Sequence, residues 1–432
     1  MKIGFISLGC SKNRVDSENV MGLLSANQHK IVSEPWEAEA IFVNTCGFIT
    51  PAKEEAINTI LQMSEIKKRT GAKLVVLGCL SQRYHDDLVG LLPEVDRFIT
   101  LDEYPMMDDI LTRELNIPVK GVYGKNPRLL STQPWMGYLK IAEGCSNRCT
   151  YCAIPLIRGN FRSYPMEMLL DQTKELSDRG VKEIVLIAQD TTRYGIDLYN
   201  EYKLAELCEQ IALFEGIRWI RILYMYPDEL SKEMIDRLAS IPKVLPYFDL
   251  PLQHGDDRML KAMNRRGDIA SIKKTIGYIR SRHPQAIIRT TMIVGFPGET
   301  KKHFDRMIQF VHDMKFDRLG AFTYSKEEDT PAFGFKHEPR ESTKNKRYKE
   351  LMQVQQNIAS TLNQAWIGQR VEVLVEVMDT FTKTAKGRSL HSAPDNIDGF
   401  IYVKVKENVK PGSFIFATID HAHGHDLHAV QS

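Results

Sequence analysis

A chain of 432 residues is too long for one small module and, at about 100–200 residues per domain, predicts three domains. With 43% hydrophobic and 26% charged residues it is not disordered, and 57 Lys and Arg against 55 Asp and Glu exclude a chain that grips nucleic acid by bulk charge. The first twenty residues lack the regions of a secretion signal and read as mature protein; no run approaches the ~18 apolar residues of a membrane span. Seven cysteines, an odd number, then point to thiols in a reducing, cytoplasmic setting and to metal binding or catalysis rather than a disulfide framework.

Residues 2–8, 40–44 and 73–77 are short runs rich in Ile, Val and Phe with amphipathic patterns at 17–25 and 51–68 between them, which predicts a doubly wound parallel sheet over 1–120. Periodicity lapses at 124–134, where Gly, Pro and polar residues collect, as in a linker. Candidate strands then recur at 138–142, 183–188, 219–223, 247–250, 287–294 and 318–324, with helical patterns such as 166–178 and 302–314 between them. Six strand-helix units over 131–361 fit a partial parallel barrel better than a closed eight-fold one, with an open parallel sheet as the alternative that propensity alone does not separate. A polar helix at 342–364 leads to short strands at 371–377, 400–405 and 413–419 separated by Gly and Pro turns, so 364–432 is expected to be a small all-β barrel. Cys208 lies in a helical apolar stripe and reads as core, and the histidine-rich tail 421–428 reads as a solvated terminus.

The strongest chemical signal is Gly144-Cys145-Ser-Asn-Arg-Cys149-Thr-Tyr-Cys152, a C-x3-C-x2-C loop directly after a predicted strand. Three thiolates on one loop can hold three irons of a cubane cluster and leave the fourth open; a structural zinc site needs a fourth ligand that is missing nearby. Cys10, Cys46 and Cys79 each close a predicted parallel strand. Open α/β sheets gather ligands at the carboxyl ends of their strands, so these three are expected to converge on a second iron-sulfur cluster. One such cysteine is commonly a small buried hydrophobe; three repeats of strand and then cysteine are not. No G-x-S-x-G or phosphate-loop motif is present, which removes hydrolase and nucleotide-triphosphatase readings.

The 145–152 spacing, the second cysteine set, the order of domains and the closing β module resemble the radical S-adenosylmethionine (SAM) methylthiotransferases, whose last module is called TRAM. The resemblance implies two [4Fe-4S] clusters, held by Cys145, Cys149 and Cys152 and by Cys10, Cys46 and Cys79. It also implies SAM near Tyr151 and near the residues after the barrel strands, namely Gln189, Asp190, Gln253, Gly295 and Glu299. It assigns no side chain as catalytic; one electron cleaves SAM, and the resulting 5'-deoxyadenosyl radical abstracts a substrate hydrogen. An electron-donor protein such as a flavodoxin or ferredoxin is implied as well.

The stretches CSNRCTYCAIPLIRG (145–159), LIAQDTTRYGIDL (186–198) and LYMYP (223–227) look most like the members that modify the β-carbon of an aspartate in ribosomal protein S12; members acting on transfer-RNA adenosine are the alternative. From residue 362 onward eight acidic side chains face seven basic ones, which suits a basic ribosomal protein better than RNA. Glu372, Glu376 and Asp398 are thereby expected to face that partner, and Arg158 and Arg162 to be available for a carboxylate.

Overall fold

The computed structural model describes residues 1–432. They divide into two compact units: Met1–Thr132 with Tyr138–Arg162 and Ser325–Phe333, and Gln133–Gly137 with Ser163–Tyr324 and Gly334–Ser432. The loop carrying Cys145, Cys149 and Cys152 therefore belongs to the first unit, and the carboxyl-terminal β module to the second. No helix is long and apolar enough to cross a membrane.

In the first unit, β1 (Lys2–Ser7), β2 (Lys30–Val32), β3 (Ala40–Thr45), β4 (Lys73–Gly78) and β5 (Arg97–Ile99) form a parallel sheet in the order β2-β1-β3-β4-β5. Helices α1 (Ser11–Ala26), α2 (Thr50–Thr70) and α3 (Cys79–Leu91) connect them, and the short α4 (Met107–Asp109) follows. Near-continuous apolar strands are what a sheet covered on both faces requires, and two cores bear this out. Ile3, Phe42, Val75 and Leu77 pack under α1, while Ile41, Val43, Leu74 and Val76 pack under α2 and α3. The order reverses between β1 and β3, the switch point at which such sheets open a crevice beyond their strand ends.

The unit boundary at Thr132 and Gln133 falls within the expected linker, and the stretch before it is pinned to α1. Glu18 accepts from Ser131 N and Oγ, both at 2.9 Å, and Arg128 Nη2 donates to Tyr138 O at 2.7 Å. Strand β6 (Met136–Lys140) runs from the second unit into the first, and β7 (Ala142–Glu143), α5 (Ile154–Arg158) and β8 (Arg162–Ser163) frame the cysteine loop.

In the second unit, β9 (Glu183–Ile187) pairs in parallel with β10 (Trp219–Ile222), and β11 (Tyr247–Gln253), β12 (Ile287–Val294) and β13 (Arg318–Thr323) pair in parallel in that order. The helix Glu341–Gln364 leads to a closed barrel of β14 (Arg370–Asp379), β15 (Thr384–Arg388), β16 (Ile401–Lys404), β17 (Phe414–His423) and β18 (Asp426–Gln431). The tail is thus not a loose terminus: β17 and β18 form an antiparallel hairpin in which His421 faces His428. The polar residues at these positions obscured a strand whose alternate members, Leu427 and Ala429, are buried.

This module is fastened to the amino-terminal ends of β9–β12 by buried charge. Glu183 accepts from Arg221 Nε at 2.9 Å and from Arg388 Nη2 at 2.6 Å, and all three side chains are almost wholly inaccessible. Burial alone would raise the Glu183 carboxyl, but Arg388 and Arg221 outweigh it and hold its pKa below the ordinary value. Arg221 Nη2 also donates to Ser389 O, and Asp398 accepts from Tyr247 Oη and pairs with Arg289.

These contacts correct the docking expectation. Glu372 accepts from Arg218 and from Trp219 Nε1, Glu376 pairs with Arg388, and Asp398 is buried, so none of the three is a free outward charge. Setting them and Arg388 aside leaves five acidic and six basic side chains in the module, and the acidic excess disappears. Removing one partner of a buried pair costs about 3–5 kcal/mol, so reversing Asp398 would report on folding rather than on docking.

Candidate functional site

Each cysteine of the amino-terminal set follows a strand of the parallel sheet. Cys10 caps α1 after β1, Cys46 follows β3, and Cys79 opens α3 after β4. Cys10 and Cys46 therefore flank the switch point; Cys10 and Cys79 lie at helix amino termini, where unpaired N–H groups favour thiolate, although burial outweighs this at Cys79 and raises its thiol. Close approach requires glycine: Gly9 has φ of +86°, and a Cβ there would come within 2.9 Å of Cys46 Cβ.

The three thiols feel one another's charge. Burial, and then Cys79, push the Cys46 thiol up to about 12. Desolvation also raises Cys10, but Lys12, Arg158 and the Asn13 and Lys12 amides prevail and its pKa lies below the usual value. No three His, Cys, Asp or Glu side chains are gathered tightly enough to hold one metal ion. Thiolates on one ion at ~2.3 Å each are at most about 4.6 Å apart, whereas on a cubane every cysteine has its own iron. Three thiols within electrostatic reach of one another, each closing a strand of the same sheet, make a candidate cluster site. Because the Cys10 thiol lies below the usual value while burial raises Cys46 and Cys79, metal-free protein treated with iodoacetamide at pH 8 should be alkylated first at Cys10, with Cys46 lagging until the pH nears 12; peptide mass mapping over a pH series checks this.

The second cysteine set lies on the loop between β7 and α5. Gly144 enters it at φ +72°, and a Cβ there would collide with Asn160 O at 2.2 Å. Cys145 N donates to Gly159 O, Cys152 N to Cys149 O, and Ala332 N to Thr150 O, so both rims of the loop are tied. Cys145 and Cys149 are buried and Cys152 half-buried, with half-buried Tyr151 beside it.

Polar side chains of the same unit connect the two sets. Arg158 on α5 is buried; its Nη2 lies 2.6 Å from Asn13 Oδ1, 2.9 Å from Asp16 Oδ2 and 3.4 Å from Cys79 Sγ, while Nη1 donates to Glu143 Oε2 at 2.8 Å. Lys140 Nζ pairs with Asp16 and Glu143. Desolvation would raise the Glu143 carboxyl, yet Lys140 and Arg158 hold it far below the carboxylate range. Arg158 is thus not available for a substrate or SAM carboxylate as expected, because its neighbours already occupy it; Arg162 is exposed. Asn13, Asp16, Lys140 and Glu143 were not singled out from the sequence. The available signal was charge at fixed distances on either side of the cysteine loop, together with Asn13 and Asp16 at helical spacing after Cys10.

At the carboxyl ends of the barrel strands, Gln189 is half-buried and Asp190 wholly buried after β9. Thr191 Oγ1 donates to Leu223 O, and Thr192 Oγ1 accepts from Tyr226 N, so part of the polar surplus there is structural. Tyr224 after β10 and Gln253 at the end of β11 adopt left-handed backbone, φ +61° and +76°, a cost that proteins concentrate at functional positions. Gly295 follows β12. The Glu299 carboxylate is buried and accepts from Gly295 N at 3.0 Å, His254 Nε2 at 3.1 Å and Arg347 Nη1 at 2.6 Å. It shapes the 295–298 turn from within.

A C-x3-C-x2-C loop followed along the chain by alternating parallel strands and helices is the pattern of radical SAM enzymes, and residues 139–311 match the family model described as the radical SAM superfamily. Residues 2–100 match an uncharacterized family, UPF0004, and 367–431 match the TRAM domain. Over 439 residues the chain is 43% identical to the ribosomal protein uS12 methylthiotransferase RimO of Clostridioides difficile, covering 99% of this chain and 98% of that one. The RimO proteins of Acetivibrio thermocellus and Lachnoclostridium phytofermentans are 43% and 44% identical, covering 99% of this chain and 97% and 99% of theirs. The chain belongs to this family of radical SAM methylthiotransferases. A solved radical SAM methyltransferase, TsrM of Kitasatospora setae, shares the fold at TM-score 0.57 and 11% identity over 77% of this chain and 76% of that one.

Proposed function

We propose that the enzyme places a methylthio group on the β-carbon of an aspartate in ribosomal protein uS12, in the cytoplasm. End-to-end identity of 43–44% with relatives all named for that substrate carries the reading. The target C–H bond offers no acidic proton to a general base, so abstraction by a radical is the suitable chemistry. When bound, SAM and a reduced [4Fe-4S] cluster supply that radical.

The chain's own residues divide the rest. Cys145, Cys149 and Cys152 hold the SAM cluster, and the backbone ties at Gly159 and Ala332 fix their loop. Gln189, Asp190, Gln253 and Gly295 at the ends of the second unit's strands would serve SAM, with Glu299 and His254 supporting the 295–298 turn, and Tyr151 is the aromatic residue beside the third cysteine of the loop. Cys10, Cys46 and Cys79 hold a second cluster that serves sulfur delivery, and a flavodoxin or ferredoxin provides electrons.

Mass spectrometry of uS12 and of bulk transfer RNA from cells with and without the protein tests the substrate. Loss of a methylthio increment from uS12 alone is expected. Loss from transfer RNA, with uS12 unchanged, would replace this reading by the nucleoside one.

A further inference from the structure

Arg158 belongs to the loop of one cysteine set and reaches a sulfur of the other. It lies six residues beyond Cys152, yet its guanidinium is 3.4 Å from Cys79 Sγ. Asp16 of α1 and Glu143, which precedes the cysteine loop, orient it from two sides. Nη2 carries two N–H bonds but faces three acceptors: Asn13 Oδ1, Asp16 Oδ2 and Cys79 Sγ. With Cys79 as a thiol, its S–H donates to Asn13 Oδ1 at 3.3 Å and the sulfur needs little from Arg158. As a metal-bound thiolate Cys79 has no proton to give, the Asn13 contact is lost, and the adjacent guanidinium becomes its charge-assisted donor.

The structure assigns Arg158 as a positioning residue for the amino-terminal cluster: it donates a hydrogen bond to the Cys79 sulfur and so sets how readily that cluster accepts an electron. The inference rests on the two-cluster reading above. Hydrogen bonds to cluster sulfurs and nearby positive charge stabilise the reduced, more negative state. Lys12 and Lys140 add positive charge near the two loops, and Asp16 and Glu143 oppose it, so Arg158 is the cation in direct contact with sulfur. Lysine cannot replace it fully, because an ammonium lacks the planar fork that serves Asp16, Glu143 and sulfur together.

The test uses the full chain with Cys145, Cys149 and Cys152 changed to Ala, reconstituted anaerobically so that one cluster remains, and follows its one-electron reduction by dithionite with electron paramagnetic resonance. Arg158→Gln and Arg158→Lys are compared with Arg158 itself. The midpoint should move to more negative potential in both, further in Arg158→Gln. Arg158→Lys keeps a cation for Asp16 and Glu143 and so carries the test if the Gln variant does not fold. A midpoint unchanged in iron-loaded Arg158→Lys overturns the assignment and leaves Arg158 a structural tie. Absence of iron from the triple-Ala background itself overturns the two-cluster reading, and this inference with it.

Discussion

Full-length protein with Cys145, Cys149 and Cys152 replaced by Ala should keep about four of about eight irons, as expected for two four-iron clusters, and should release no 5'-deoxyadenosine from SAM under reducing, anaerobic conditions. The fold should survive, because the first unit rests on the apolar clusters on both faces of its sheet and the loop is tied by backbone bonds to Gly159 and Ala332 that need no thiol. Iron analysis, SAM cleavage and a thermal melt on one preparation decide the matter. Full iron retention with a normal melt would refute the assignment of this loop.

The converse variant separates cleavage from transfer. With Cys10, Cys46 and Cys79 changed to Ala, reductive SAM cleavage should remain measurable while methylthiolation of uS12 falls to background. The 145–152 loop keeps its own backbone ties, and Arg158 keeps Asp16, Asn13 and Glu143 when the Cys79 sulfur is gone. Substrate still modified by this variant would mean that the three strand-end cysteines are merely structural.

Most of the architecture was legible because its signals are local. Parallel strands buried on both faces read as apolar runs, and a cysteine closing three of them marks their carboxyl ends. What escaped was polar and buried. The helix expected from residue 17 starts at Ser11, because its first turns bury Ser11, Lys12, Asn13 and Asp16, residues that a search for apolar periodicity passes over. Charge counting failed similarly in the β module. Glu372, Glu376 and Asp398 looked like solvent-facing acids until their partners Arg218, Tyr247 and Arg289 appeared from more than 100 positions away and Arg388 from a neighbouring strand. The partners of Glu299 were likewise invisible, since only tertiary structure brings His254 and Arg347 to it.

The segment between β15 and β16 bears on how such proteins can be recombined. His391, Ser392 and Ala393 are buried, and the flanking Arg388 and Asp398 are bonded to Glu183, Tyr247 and Arg289 at the base of the barrel strands. The module is consequently no detachable adaptor. A chimera spliced at Gly368 pairs ionic sockets with a foreign plug, and an incoming module without counterparts to Arg388 and Asp398 leaves Glu183 and Arg289 as buried, half-matched charges. Swapping substrate preference between relatives by exchanging this module therefore requires the sockets and the plug to move together.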